Sequence, residues 1–218
     1  MVKNLFILGD SYSTYEGFIP DGYRFYYSWQ GRPGNPVTNM LCSQTWWKRF
    51  IDKTGASLVQ NNSWSGSTIC YTGREGQDCS KTNSFIYRYK QLYESGFFEK
   101  NKIDTFIIFG ATNDNWGVSP LGEPKYSGWT EQDLYNSLPA ISYLCNRVKN
   151  DLPNAKLIFI INTDLRKQIV DVIKESACRY GFKALELEKF EKVNGHPTAF
   201  GMESICNQLI DFIGKNDK

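Results

Sequence analysis

Two side chains in this sequence could act as a nucleophile and its base. The chain contains a single histidine, His196, in the segment 194–197, and imidazole is the side chain best suited to proton transfer near neutral pH. Ser11 follows an apolar run, where a strand end would present its hydroxyl at the edge of a sheet. Asp10 and Ser11 would also suit a simple turn. If the fold brings Ser11 and His196 together, the pair predicts nucleophilic catalysis.

Two further polar segments follow apolar runs and could stabilise negative charge. Gly66 lies in the segment 62–67, and Asn113 lies in the segment 110–114. The backbone N–H groups of Ser11 and Gly66 and the side-chain amide of Asn113 would supply three donors to the oxyanion of a tetrahedral intermediate. Taken singly, a tight turn at Gly66 and a turn cap at Asn113 explain these two residues equally well.

Short apolar runs alternate with longer segments of helical periodicity, which is typical of a parallel sheet between two helix layers. The predicted strands are Asn4–Leu8, Ser57–Asn61, Thr105–Phe109, Lys156–Ile161 and Lys183–Leu187. The predicted helices are Thr45–Lys53, Ser84–Ser95, Glu131–Asn150, Leu165–Tyr180 and Thr198–Phe212. We therefore expect an α/β protein, a three-layer α/β/α sandwich around a central parallel five-stranded sheet, formed by one domain over residues 1–218.

The ends of the predicted helices carry local signals. Thr130 and Asp133 form a capping-box pattern, and Gly181 and Gly214 stand where left-handed C-caps are expected. Pro139 lies inside the third predicted helix, where its missing N–H predicts a kink.

Three long aromatic segments connect these elements: Thr14–Ser43, Cys70–Asn83 and Asn115–Trp129. Long loops in compact domains are usually functional or disordered, and the aromatic content argues against disorder. The loops are therefore expected to form the walls of a site. The candidate substrate-binding residues are Tyr15, Trp29, Trp116 and Trp129. The alternative for each ring is that it packs its loop onto the body of the protein.

Composition excludes several classes of function. Lys and Arg number 25 against 23 Asp and Glu, so the net charge is +2 and no basic cluster predicts nucleic-acid binding. No stretch reaches the roughly 18 consecutive apolar residues of a membrane span. The six cysteines include no close pair and there is one histidine, so we expect no metal and no cofactor.

The N-terminal segment bears on the cellular location of the protein. Its first apolar run, Leu5–Leu8, is too short for the roughly 7–15-residue core of a signal peptide. The expectation is a cytoplasmic protein, or a secreted one if a leader has been removed. Cys70 and Cys79 could form a disulfide in an oxidising compartment, and reduced thiols are expected otherwise. The oligomeric state stays open.

The four segments together resemble the SGNH hydrolases, the serine esterases also called GDSL hydrolases. That family is named for Ser, Gly, Asn and His in four separated blocks, which here are Ser11, Gly66, Asn113 and His196, in the same order. The resemblance spans residues 5–201. It implies a flavodoxin-like SGNH-hydrolase fold, a serine nucleophile, no metal, and hydrolysis of esters or thioesters.

One position departs from the family pattern. The aspartate that usually stands three residues before the histidine is replaced here by Val193. An acceptor must hold the imidazole in the correct tautomer, and we expect a backbone carbonyl near Val193 or Asn194 to do so. The carboxylate alternatives are Glu191 and Glu188.

The expected function is hydrolysis of short-acyl esters, such as acetyl groups on a small molecule or a carbohydrate. Aromatic cleft walls suit sugar rings, whereas a long acyl chain would require aliphatic walls. The alternatives are a lipid esterase or thioesterase, and a ligand-binding module whose catalytic residues have decayed. Because the base must be unprotonated, we expect activity that rises with pH through the pKa of His196, and a flat profile between pH 5 and 8 would contradict a histidine base.

Overall fold

The central feature of the structure, a computed structural model that describes residues 2–216, is one all-parallel sheet. Its strands are β1 (Asn4–Gly9), β2 (Ser57–Ser63), β3 (Thr105–Gly110), β4 (Lys156–Ile161) and β5 (Lys183–Glu186). They lie in the order β2-β1-β3-β4-β5. All five predicted strands are confirmed, with ends that differ by at most two residues.

Helices cover both faces of the sheet. They are α1 (Trp46–Thr54), α2 (Phe85–Glu94), α3 (Phe97–Lys100), α4 (Thr112–Trp116), α5 (Ser137–Asp151), α6 (Lys167–Tyr180) and α7 (Ala199–Asn216). Alternate residues of β3 enter different cores. Phe106 and Ile108 pack with the helices α2, α5 and α6, whereas Ile107 and Phe109 pack with α1 and α7. The expected three-layer sandwich is thereby confirmed.

The third predicted helix is the largest error in the sequence-based assignment. A 3-10 turn, Gln132–Tyr135, comes first, and α5 begins after Asn136. Pro139 is the third residue of α5, where a backbone N–H would have no acceptor within the helix. It therefore interrupts no helical hydrogen bond, and the predicted kink inside the helix is wrong. Thr130 and Asp133 exchange the expected capping hydrogen bonds in front of the 3-10 turn.

Two predictions at helix C-termini had opposite outcomes. Gly181 caps α6 in the left-handed conformation, with φ of 72°, as expected. Gly214 does not cap a helix, because α7 continues through it to Asn216. The short helices α3 and α4 were not predicted, since four or five residues carry no helical periodicity.

The order of the strands defines where a ligand would bind. In an open parallel sheet the crevice lies beyond the carboxyl ends of the strands, where neighbouring connections diverge to opposite faces. The strand β1 lies between β2 and β3, so the segments that follow these three strands meet at that edge. Within residues 2–216 no helix combines the length and apolar character that crossing a bilayer requires.

Candidate active site

Ser11 and His196 meet at the carboxyl edge of the sheet although 185 positions separate them in the chain. The Ser11 Oγ lies 3.0 Å from the His196 Nε2. On the other side of the ring, Nδ1 lies 3.2 Å from the carbonyl oxygen of Asn194. A carbonyl oxygen can only accept, so Nδ1 carries the proton and Nε2 is free to accept the hydrogen of the serine hydroxyl.

A β-hairpin with a two-residue turn carries the imidazole of His196. Lys192–Val193 (β6) and His196–Pro197 (β7) pair antiparallel, with Val193 opposite His196. The turn residues Asn194 and Gly195 have φ of 50° and 76°, the two positive values that an Asn-Gly type I′ turn requires. This turn directs the Asn194 carbonyl back toward the ring that follows it.

The expected replacement for the missing aspartate is therefore present in the geometry. Among the described residues, neither carboxylate alternative is hydrogen-bonded to the imidazole. Glu191 accepts a hydrogen bond from the Thr198 hydroxyl, and the backbone of Glu188 pairs with the side chain of Gln208.

Three aromatic rings surround the imidazole. Tyr26 stacks on His196, with ring centroids 3.7 Å apart and an interplanar angle of 7°. Trp116 and Tyr12 approach from other sides, at 5.6 and 5.5 Å. Gly195 lies so close to Trp116 that an added Cβ would come within 2.9 Å of the indole. These contacts fix the orientation of the ring and leave it only partly accessible to solvent.

The same enclosure changes the acidity of the ring. The pKa of His196 is lowered from its ordinary 6.5 to about 4, chiefly because burial disfavours the charged imidazolium. The hydrogen bond to Asn194 raises the pKa, whereas the positive charges of Arg32 and Lys192 lower it. At neutral pH the ring is therefore uncharged and can act as a base.

Gly66 and Asn113 line one cavity of about 460 Å³, together with Trp116. Gly66 has φ of 87° in the turn in which the Ser67 N–H donates to the Trp64 carbonyl. Asn113, at the start of α4, donates from Nδ2 to the Ser67 carbonyl, 2.9 Å away, and its second N–H is left for another acceptor. The cavity therefore joins two of the predicted donors to the indole that touches His196.

A buried arginine, which the sequence analysis missed, connects these segments. Arg88 on α2 is 1% exposed. Its Nη2 donates to the Gly9 carbonyl and to the Ser67 hydroxyl, both at 3.1 Å. Its Nη1 donates to the side chain of Asn62, 2.7 Å away. One cation thus ties together the end of β1, the end of β2 and the turn that carries Gly66.

The two aspartates near the site have structural contacts. The Asp10 carboxylate accepts the Tyr12 N–H at 3.0 Å and so shapes the turn that holds Ser11. Burial raises the pKa of Asp10 to about 7. Asp114 accepts the N–H groups of Ile69 and Cys70, which fastens α4 to the segment after Gly66.

The four aromatic candidates for substrate contact occupy different environments. Trp116 lies at the cavity beside His196, and Trp29 is 65% exposed on the first loop. Tyr15 is buried against Phe18, with its hydroxyl donating to the Met40 carbonyl, so the structure contradicts its assignment to a cleft. Trp129 is also a correction, because it packs against the core and its indole N–H binds the carbonyl of Lys125.

The chain is similar to known proteins in both sequence and fold. Residues 3–213 match the family described as GDSL-like Lipase/Acylhydrolase. No curated protein matches the chain significantly. A solved structure described as a GDSL-like lipase, from Bacteroides ovatus, is 39% identical, with a TM-score of 0.89 over 99% of both chains. A second protein so described, from Bacteroides uniformis, is 37% identical, with a TM-score of 0.88 over 98% of this chain and 96% of that one.

A more distant structure shares the fold. The family two carbohydrate esterase of Cellvibrio japonicus is 14% identical, with a TM-score of 0.62 over 97% of this chain and 62% of its own. The family match extends over nearly the whole length of the sequence, and the two Bacteroides proteins are similar over their full length. The chain therefore belongs to the GDSL-like lipase/acylhydrolase family and is a carboxylic ester hydrolase.

Proposed function

We propose that this hydrolase uses Ser11 as its nucleophile and His196 as its general base, with the Asn194 carbonyl in the place of the family's aspartate. The observation that carries the proposal is the 3.0 Å contact between the Ser11 Oγ and an imidazole nitrogen whose partner nitrogen is already bound to a carbonyl. This arrangement leaves the reactive nitrogen unprotonated and aimed at the hydroxyl.

The reaction takes place in two halves. The Ser11 Oγ attacks the acyl carbon while His196 takes the hydroxyl proton, and His196 then gives that proton to the departing alcohol. Water attacks the resulting acyl-serine, His196 takes a proton from the water, and the proton returns to the Ser11 Oγ as the acid leaves. The backbone N–H groups of Ser11 and Gly66 and the Asn113 amide hold the oxyanion in both halves.

The substrate is a short-acyl ester, most simply an acetyl ester of a small molecule or a carbohydrate. Among the described residues that line the cavity beside Gly66, Trp116 is the one large apolar side chain, and most of the others are polar. A long acyl chain needs aliphatic walls, whereas one indole and several polar groups suit a sugar ring. The fold shared with a carbohydrate esterase agrees with this choice.

The acyl-length assignment predicts a strong preference. The wild-type enzyme should hydrolyse p-nitrophenyl acetate with a kcat/KM at least about tenfold above that for the octanoate, because the extra methylenes would find no apolar wall. Steady-state rates on an acetate, butyrate and octanoate series measure this directly. A rate that increases with chain length would favour the lipid esterase or thioesterase alternative instead.

The low pKa of His196 changes the expected pH profile. The base must be neutral, and a pKa of about 4 keeps it neutral above pH 5, so kcat/KM should be flat between pH 5 and 8 and fall as the pH drops through 4. The rise in activity that the sequence predicts between pH 5 and 8 is thus moved to lower pH. The Arg32→Gln variant, which removes one nearby positive charge, should move the fall to higher pH. A midpoint near 6.5 in the wild type would contradict this.

A further inference from the structure

The cavity beside the oxyanion donors carries positive charge that the mechanism does not use. Arg24 and Arg74 line it with Gly66 and Asn113, and Glu75 is the carboxylate in its lining. A second cavity, of about 270 Å³, is lined by Arg24 and Arg32. Arg24 therefore borders both cavities.

The structure anchors Arg24 next to the Gly66 turn. The backbone carbonyl of Arg24 accepts the Ser65 N–H at 2.7 Å, one residue before Gly66. The preceding ring, Tyr23, packs on Trp64 with centroids 4.4 Å apart. These two contacts hold the first loop against the segment that follows β2, so they fix the backbone of Arg24 beside the Gly66 turn, from which its exposed side chain extends.

The guanidinium of Arg24 is not neutralised by the protein. Within residues 2–216 its side chain makes no hydrogen bond and no ion pair. Arg74 has a carboxylate partner, Glu75, at 3.8 Å, and both side chains are more than four-fifths exposed, so that pair is weak. Glu16 is the carboxylate in the lining of the second cavity.

Cationic groups also lie on the histidine side. Arg32 lies over the Tyr26 ring, 5.3 Å from its centroid, and that ring stacks on His196. A chain with a net charge of only +2 therefore places two arginines at the cavity lined by Gly66 and Asn113, and a third over the ring that stacks on His196. Such an arrangement attracts anions and favours a carboxylate, which a guanidinium binds through two parallel hydrogen bonds.

We propose that the natural substrate is a carbohydrate ester that bears a carboxylate, an acylated sugar acid, and that Arg24 binds this carboxylate beside the oxyanion donors. The inference rests on the proposed function and defines its substrate class. Arg24 acts on binding and leaves the chemistry to Ser11 and His196. Its contribution therefore appears in KM and in the response to salt, because exposed charges are screened within roughly 10 Å at 0.1 M ionic strength.

A matched pair of substrates tests the proposal. One is an acetylated neutral hexoside, and the other is the same compound with its primary alcohol oxidised to a carboxylate. At low salt the wild type should favour the acid about tenfold in kcat/KM, the size expected of one charge-assisted hydrogen-bonded contact at a partly exposed site. The preference should shrink in 0.5 M NaCl.

Variants at Arg24 isolate the contribution of this residue to the preference for the acid substrate. In Arg24→Gln the ratio of acid to neutral rates should fall about tenfold, to near one, through KM, and in Arg24→Glu the ratio should fall below one. Arg179→Gln is the matched control, an exposed arginine on α6 at a separate cavity, and it should keep the wild-type ratio. An unchanged ratio in Arg24→Gln, or no wild-type preference, overturns the proposal.

A parallel measurement distinguishes a failure of the proposed function from a failure of the proposed substrate class. Hydrolysis of p-nitrophenyl acetate by the wild type without any preference for the acid would leave the proposed function standing and reject the substrate class. If neither this ester nor the sugar esters are hydrolysed, the proposed function fails and the substrate class fails with it.

Discussion

The Ser11→Ala variant is expected to lose ester hydrolysis by about 10⁴- to 10⁶-fold in kcat, because no acyl-enzyme can form without the hydroxyl. Covalent labelling by a fluorophosphonate should disappear in the same variant. The thermal midpoint should change little, since the side chain is small and loses only its hydrogen bond to the partly buried imidazole. Rates on p-nitrophenyl acetate and intact-protein mass spectrometry measure both effects.

Ser13→Ala is the matched control for this experiment. Ser13 lies in the same turn and is also buried, but its hydroxyl accepts the indole N–H of Trp46 at 3.2 Å and does not contact His196. The control should be labelled at the wild-type stoichiometry. Labelling that persists in Ser11→Ala, at whatever site, would remove Ser11 from the role of nucleophile.

The Asn113→Ala variant is expected to lower kcat by about 10²- to 10³-fold with a small change in KM, because its amide donates most strongly to the oxyanion of the transition state. The affinity for a phosphonate that mimics the tetrahedral intermediate should fall in parallel with kcat. Kinetics on p-nitrophenyl acetate and inhibition by the phosphonate measure these effects.

Asn113 also binds the Ser67 carbonyl, so a loss of activity could come from a displaced turn. Asn115→Ala is therefore the control: Asn115 lies on the same short helix and accepts the Arg166 N–H at 2.9 Å, outside the cavity. It should retain wild-type kcat. A loss in Asn113→Ala that appears in KM, with unchanged phosphonate affinity, would argue against a role in the oxyanion site.

Much of the fold could be predicted because its signals are local. The run Leu157–Ile161 is apolar without alternation, as a strand covered on both faces must be, and the structure buries it completely between two cores. The helix break at Asn136 was missed although it carries a local signal. Asn is a preferred N-cap residue, and Pro139 suits the first turn of a helix that begins at Ser137.

The site was predictable where residue type limited the choice. A single histidine left few pairings with the serines at strand ends, and the resemblance in four segments selected among them. Arg88 was missed because an arginine inside a helix usually faces solvent. A signal existed, since Arg88 follows Phe85 by three residues and so shares the face that packs on the sheet. The Asn194-Gly195 pair was likewise a recognisable hairpin signal.

The sequence by itself determined the elements and the chemistry of the candidate groups, because strand, cap and turn preferences act over a few neighbouring residues. The tertiary structure alone decided that Tyr26 stacks on His196 and that Tyr15 and Trp129 face the interior. It also decided the lowered pKa of the imidazole, since the acidity of a group depends on its burial and on charges that the fold brings near it from distant segments. These contacts between distant segments depend on the order of the strands in the sheet, because that order fixes which loops become neighbours.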